Sequence, residues 1–505
     1  MNRDDMLARA RESGRIFDLI VIGGGATGLG VAVDAAARGY DVVLFEGSDF
    51  AKGTSSRSTK LVHGGVRYLQ QGNVSLVMEA LRERGRMRRN APHLVHDLAF
   101  IVPSYEWWES PFYGIGLKVY DLLAGKYGFG TSRHLDADEV RAEIPSIRGD
   151  GLRGGTLYYD GQFDDARLAL ALARTATGQG GIVVNYATVV ALCKDGSGVA
   201  EGVVVRDEES GEEFAVHGRA VINATGPFSD GVRRLDHPDG KPLVAASQGV
   251  HIVLDKSFLP GDSAIMVPHT PDGRVMFAIP WYDVAVVGTT DTPIDDVSLE
   301  PRPQSQEIDF ILETANAYLA RPATRADIRS VFAGIRPLVQ ADGSTAAMSR
   351  EHAIVIDPDS GMLTIVGGKW TTYRQMAEDV VDQAAALAGL ESRACPTKDL
   401  PIHGFHANAE RFGRLSVYGS DAPSIEAGEP LHPKLPLTEG EVVFACREEM
   451  ARTVDDVLAR RSRSLLFDAA AAGEAAGPVA RIMERELGRP VDAEAFASIA
   501  EGYRP

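Results

Sequence analysis

The stretch LVHGGVRYLQQG, residues 61–72, sets His63, Gly64, Gly65, Arg67 and Tyr68 within six consecutive positions. A glycine pair lets a backbone pass close to a bound group. Arginine suits a planar or phosphorylated anion, and histidine accepts a proton near neutral pH. A second histidine, His251, stands in the apolar run GVHIVL, where a lone histidine is more often a satisfied core residue than a catalyst.

A second constellation binds rather than reacts. Gly23-Gly24-Gly25-Ala26-Thr27-Gly28 is a GxGxxG that closes the apolar run FDLIVI and opens a helix. Its first glycine makes the tight turn, Gly25 admits a pyrophosphate, and Gly28 lets helix pack on strand. The helix N-terminus adds unpaired N–H groups and the positive dipole end. Glu46 ends the next strand, near the offset expected of a ribose-binding acid. Together these predict a dinucleotide, and the motif alone leaves NAD and FAD open. Gly367-Gly368 then precede a helix beginning near Thr371, a second N-terminus far along the chain. Two such helix ends suit a flavin held at both ends.

These residues need elements to position them. Strand–turn–helix–strand is expected over 17–46, with further strand-to-glycine junctions around 219–232 and 361–389. Strand-like alternation runs near 245–254 and through 273–293, and helical spacing dominates 440–488, which predicts a helical C-terminal domain from about residue 392. At 505 residues the chain exceeds one core, and roughly three domains are expected. A net charge of −18 argues against nucleic-acid binding and against broad attraction to anionic membranes. Cys193, Cys395 and Cys446 lie far apart, with no metal or disulfide spacing. No secretory signal and no apolar run of spanning length is seen, so a protein kept inside the cell is expected.

In this order, DLIVIGGGATGLGVAVDAAARG, TSSRSTKLVHGGVRYL, QFDDARLALALA, VINATGPF, AIPWYDVAVVGTTDTP, FAGIRPL and VGGKWTTYRQMAE resemble the FAD-dependent, quinone-linked glycerol-3-phosphate dehydrogenases over roughly residues 16–390. The resemblance continues more weakly into DDVLARRSRSLLFD. It implies an α/β fold, with a Rossmann-like FAD-binding domain of the glutathione-reductase/D-amino-acid-oxidase type, a β-rich substrate domain and a helical C-terminal cap. The implied segments are 16–95, 151–235 and 331–391 for the FAD domain, 96–150 membrane-proximal, 236–330 for substrate and 392–505 for the cap. FAD contacts are implied at Gly23, Gly25, Ala26, Thr27, Gly28 and Glu46. More are implied at Thr54, Ser55, Ser58, Lys60, Leu61, His63, Gly64 and Gly65, and at Ala224, Thr225, Gly226, Gly334, Gly368, Lys369, Trp370, Thr371 and Thr372.

The implied reaction oxidises sn-glycerol 3-phosphate to dihydroxyacetone phosphate, with electrons passed to membrane ubiquinone or menaquinone. A phosphomonoester carries nearly two negative charges, so an acidic protein must concentrate cations locally. Arg67, Arg336 and Lys369 are the expected set, with Arg350 a fourth and Tyr68 beside them. Gly64 and Gly65 are expected to pass against the flavin ring. Removing the C2 hydroxyl proton needs a general base, and His63 and His251 both stay open, with Lys369 able to share the work. An oxygen-using oxidase and a non-catalytic FAD sensor are the rival readings, and a homodimer is allowed. The stretch LRERGRMRR, 81–89, and the aromatic segment 106–128, framed by Lys118 and Lys126, are expected to dock the protein peripherally on the inner face of the cytoplasmic membrane.

Overall fold

The computed structural model describes residues 1–65, 73–268, 270–340 and 352–505; Arg67, Tyr68, Arg350 and the Lys126 side chain lie outside that description. A mixed sheet with a parallel core forms the first layer. Strand Ile16–Ile22 runs between Val42–Phe45 and Glu213–Asn223, with Ile182–Val184 and Leu363–Val366 parallel at either side. Its strands read as unbroken apolar runs because helices cover them: Leu19, Ile20, Val21 and Val42 to Phe45 are all buried. One such helix, Ala26–Ala37, is built of small residues and buried almost throughout. It lies against helices Asp165–Gly178 and Tyr373–Leu387. At Gly30 a side chain would come 2.9 Å from the Tyr373 ring, so a small residue sets the spacing of that helix pair.

A larger mixed sheet of ten strands forms the second layer. Its long strands Val244–Asp255 and Ile328–Val339 pair antiparallel in a register that sets Ser247 beside Arg336 and His251 beside Phe332. Strands Val95–Ser104 and Gly154–Phe163 extend it toward Leu61–Val62. Gly154–Phe163 and Ile328–Val339 fall in or across segments expected for the dinucleotide domain, yet they pair in this second sheet. Gly154–Phe163 leads directly into helix Asp165–Gly178, so that junction between the layers lies at a single turn.

The C-terminal region is helical later than expected. Residues 392–408 are irregular, Ala409–Ser424 is tight 3₁₀ turns, and a small hairpin spans 430–438 before helix Glu439–Glu448. Prolines 396, 401, 423, 430, 433 and 436 remove the amide donors a longer helix needs. Helices Ala469–Leu487 and Ala493–Glu501 complete the region. It is bolted to the first layer by buried charge. Asp49 takes both Arg460 and Arg461, and Arg460 also reaches Asp455 at 2.9 Å and Asp456 at 2.7 Å. Arg167 forms a two-pronged pair with Glu449 at 2.8 and 2.6 Å. Arg57 reaches Glu300 at 2.7 Å and the Tyr503 hydroxyl at 2.9 and 3.1 Å. Burial works against the Asp49 carboxylate, but the two guanidiniums outweigh it and hold its pKa below the ordinary value.

Candidate active site

Three distant junctions meet at the glycine loop. Gly23 has φ +106°, and a side chain there would come 2.8 Å from the Ala224 carbonyl oxygen. A Cβ on Gly28 would overlap the Gly23 carbonyl oxygen. Both positions therefore require glycine. Gly25 is the N-cap of the following helix and offers no side-chain cap, which leaves first-turn N–H groups for an anion. Ala26 N–H donates to Ser55 Oγ at 2.9 Å, with Thr27 half-buried beside it. The Glu46 carboxylate accepts from Gly24 N–H at 2.6 Å and Ser48 N–H at 2.8 Å. Burial raises its pKa, opposed by those two donors.

Ser55 links the other junctions. Its carbonyl accepts from Trp370 Nε1 at 2.9 Å, while Thr54 Oγ1 donates to the Ile335 carbonyl at 2.5 Å. Gly334 lies so close that a side chain would meet the Arg57 carbonyl oxygen at 2.7 Å. Thr225 Oγ1 donates to Asn223 Oδ1 at 2.7 Å, and Gly226 has φ +57°. Gly367 and Gly368 have φ +77° and +74°, and Lys369 is half-buried between them and the turn Trp370–Thr372. Thr371 and Thr372 are buried, and the helix they precede also lacks a side-chain cap. The residues thus fit a group anchored at two helix starts.

Lys60 and Ser58 behave differently from the expected cofactor contacts. Lys60 is wholly buried, and its Nζ donates to Asp165 at 2.7 and 2.8 Å and to the Ser56 carbonyl at 2.7 Å. Ser58 donates to the same carboxylate through N and Oγ, at 3.0 and 2.7 Å. Burial pulls the Lys60 pKa down and pushes that of Asp165 up, while their pairing opposes both shifts. Lys60 and Ser58 brace the loop from behind. Asp165, the brace, was visible only as the second Asp of QFDDAR.

A cavity of about 1340 Å³ opens between the layers. Thr59, Leu61, His63 and Gly65 form one side of it. Arg336 also lines it and reaches Asp291 at 3.1 Å, the Thr290 carbonyl at 3.0 Å and Thr289 Oγ1 at 3.2 Å. Its guanidinium lies flat on Gly249, where a Cβ would collide with it. Arg274, which sequence reasoning did not single out, lines the same wall and reaches the other Asp291 oxygen at 3.5 Å and Asp272 through Nε at 2.8 Å. Its only local sign was its place at the start of the strand run VMFAIPW. The remaining wall is apolar: Phe100, Tyr158, Met266, Val275 and Phe277.

The two histidines separate. His63 is half-buried on the cavity wall. His251 is buried behind it, stacked on Phe332 with ring centroids 4.8 Å apart, and burial, with Arg336 and Lys60 nearby, holds its pKa well below the ordinary histidine value. The Gly64 expectation also changes. Its N–H donates to the Tyr120 hydroxyl at 2.8 Å, and a side chain would strike that oxygen and come 2.6 Å from Leu81. The close approach that Gly64 permits is therefore to two packed helices, whereas Gly65, at φ +77°, turns the chain along the cavity.

Those helices revise the basic stretch. In helix Val74–Asn90, Arg84 is buried, paired with Asp160 at 2.6 Å and stacked over Phe129. Arg88 pairs with Asp97 at 2.9 Å, and Arg89 donates to the Lys398 carbonyl at 2.7 Å. Arg84 is therefore spent inside the protein, and Arg88 and Arg89, though exposed, are engaged by partners of the same chain. The neighbouring helix Glu109–Ala124 buries Tyr113, Leu117 and Tyr120 but exposes Phe112, Ile115, Val119 and Leu122 in alternating steps of three and four, with Trp107 just ahead. Ile115 is 69% exposed, Trp107 75% and Leu122 80%, so the outward face is itself apolar.

The FAD dependent oxidoreductase family model matches residues 18–374, and the model for the C-terminal domain of alpha-glycerophosphate oxidase matches 362–493. The chain is 39% identical to the mitochondrial glycerol-3-phosphate dehydrogenase of Rattus norvegicus, over 93% of this chain and 70% of that protein. It is 39% identical to the corresponding mitochondrial protein of Arabidopsis thaliana, over 93% and 83%. Among solved structures, the glycerol-3-phosphate dehydrogenase of Bacillus halodurans complexed with FAD superposes with a TM-score of 0.79 at 28% identity, covering 100% of this chain and 98% of that one.

Proposed function

The chain belongs to the FAD-dependent oxidoreductases, in the glycerol-3-phosphate dehydrogenase family, and we propose on that premise how its own cavity serves the oxidation of sn-glycerol 3-phosphate to dihydroxyacetone phosphate. The observation that carries the reading is one wall on which Arg336 and Arg274 converge around Asp291, in the cavity that His63 also lines. Two guanidiniums held by one carboxylate meet a phosphate dianion with little reorganisation, and each offers a forked donor. Lys369 adds a point charge from the third junction, and Arg67, Tyr68 and Arg350 remain expected partners from outside the described residues.

FAD, when bound, supplies the two-electron acceptor for the hydride that leaves C2. The protein supplies the rest. His63 accepts the C2 hydroxyl proton at a ring nitrogen, being the histidine on the cavity wall. Gly23 to Thr27, Glu46, Ser55 and Trp370 hold the dinucleotide through the uncapped helix starts.

Electron delivery to a lipid-dissolved quinone is the second part of the proposal. Phe100, Tyr158 and Leu61 of the cavity's apolar wall pack in one core with Tyr113 and Leu117, the inner face of helix Glu109–Ala124. The outer face of that helix supports peripheral docking by apolar insertion rather than by the arginines. Among the described residues no helix is long and apolar enough to cross a membrane. Anaerobic glycerol 3-phosphate should bleach the bound flavin, and a short-chain quinone should restore its colour faster than dioxygen does. Absence of bleaching would sink the dehydrogenase reading, and faster recovery in oxygen would favour an oxidase.

A further inference from the structure

His251 and Thr59 form a pair whose arrangement has only one consistent proton assignment. His251 Nε2 lies 2.9 Å from Thr59 Oγ1, while the buried Nδ1 has no hydrogen-bond partner among the described residues. The ring is held in its plane, because it stacks on Phe332 and a mere Cβ on Gly288 would collide with it, and an in-plane flip would give up the contact of Nε2 with Thr59. A neutral imidazole carries a single N–H. Placed on Nδ1, that N–H would be a buried donor without an acceptor, the costlier kind of orphan; placed on Nε2, it reaches Thr59. Burial keeps the ring neutral. Thr59 Oγ1 is then the acceptor from His251, and its own hydrogen must point elsewhere. That hydroxyl makes no other hydrogen bond to a described residue, and Thr59 lines the cavity.

We propose that Thr59 donates a hydrogen bond to a phosphate oxygen of the substrate, with His251 as the positioning residue that aims the hydroxyl. The phosphate end is chosen by neighbourhood. His251 and Gly249 are two apart on strand Val244–Asp255 and so share a face, and Gly249 is the floor beneath the Arg336 guanidinium. Thr59 and Arg336 therefore stand side by side at the cationic wall. The assignment deepens the phosphate-ester reading of this cavity and rests on it.

The test uses the FAD-loaded enzyme and two readouts, the dissociation constant of dihydroxyacetone phosphate from perturbation of the flavin absorbance, and kcat/KM for glycerol 3-phosphate. Thr59→Val keeps the volume and removes the hydroxyl; both readouts should worsen by about 10- to 150-fold, as for a hydrogen bond to a charged group. Thr59→Ser should recover to within about threefold if the hydroxyl alone matters. His251→Phe keeps the stacking on Phe332 and frees the hydroxyl to rotate. It should weaken binding by less than Thr59→Val and add nothing in the double variant, because the two act as a unit. Wild-type affinity in folded Thr59→Val, failure of Thr59→Ser to rescue, or additive losses would overturn the assignment. If wild-type enzyme neither binds dihydroxyacetone phosphate nor is bleached by glycerol 3-phosphate, the functional reading itself falls and takes this one with it.

Discussion

The glycine loop at residues 23–28 and the arginine wall at 274 and 336 are both proposed to hold phosphate, and they are built in opposite ways. The loop excludes side chains, so that backbone N–H groups and a helix end face the ligand. Its charge is the partial charge of a dipole. The wall consists entirely of side chains with full charges, and it needs Asp291, Thr289 and Gly249 to keep two guanidiniums apart and aimed. The first arrangement is a local property of a few residues. The second exists only once strands Val244–Asp255 and Ile328–Val339 have paired in the right register.

That contrast can be broken most severely at the loop. Gly28→Ala should give no flavin-loaded protein, since its Cβ would occupy the space of the Gly23 carbonyl oxygen; absorbance near 450 nm is the measurement. Gly25→Ala sharpens the point, because within the protein its Cβ would touch only Ser55 Oγ, at 3.0 Å. Its flavin-free melting temperature should stay within about 2 °C of wild type while flavin affinity falls.

Next in size is an arginine that faces no ligand at all. Arg84→Met should cost about 3–5 kcal/mol in urea unfolding, because Asp160 would remain buried without its cation, and Arg84→Met with Asp160→Leu should regain part of that. If the single variant is as stable as wild type, Arg84 does not hold the interior. Arg336→Ala should cost less, about 1.5–3 kcal/mol, seen as a roughly 10- to 150-fold rise in KM for glycerol 3-phosphate with flavin retained. An equal loss with glycerol, which has no phosphate, would remove Arg336 from the anion wall. The smallest effect on stability belongs to Ile115→Ser with Leu122→Ser. Both side chains face solvent, so unfolding should shift by no more than about 0.5 kcal/mol per site. Co-sedimentation with phosphatidylcholine–phosphatidylglycerol vesicles should drop sharply. Unchanged sedimentation would separate the exposed face from lipid.

What could be read from the residues in order follows the same division. The strand–loop–helix around Gly23 was legible because glycine spacing and apolar periodicity are local, and the loop's function is carried by backbone. The expectation of Lys60 at the cofactor and of Arg84 at a membrane misses their partners, Asp165 and Asp160, which lie 105 and 76 residues away. Nothing near either lysine or arginine in the chain announces that its charge is already matched. Arg274 escaped notice for the converse reason, being one charged residue in a turn until the sheet brings it to Asp291. The helical spacing of 440–488 is legible, but the domain's first part, 392–438, is irregular, in keeping with its prolines.

The Arg57–Tyr503 contact spans 446 residues and lies beside the loop that carries Thr54 to Thr59. Joining segments so distant costs loop-closure entropy before the contact rewards it. The Asp49–Arg460–Arg461 cluster is of the same kind, across 411 and 412 residues. The dinucleotide layer is thus tied at two points to the far end of the chain. A fragment ending before residue 440 would leave the Asp49 carboxylate without either guanidinium, so the far end of the chain acts as a clasp on its beginning.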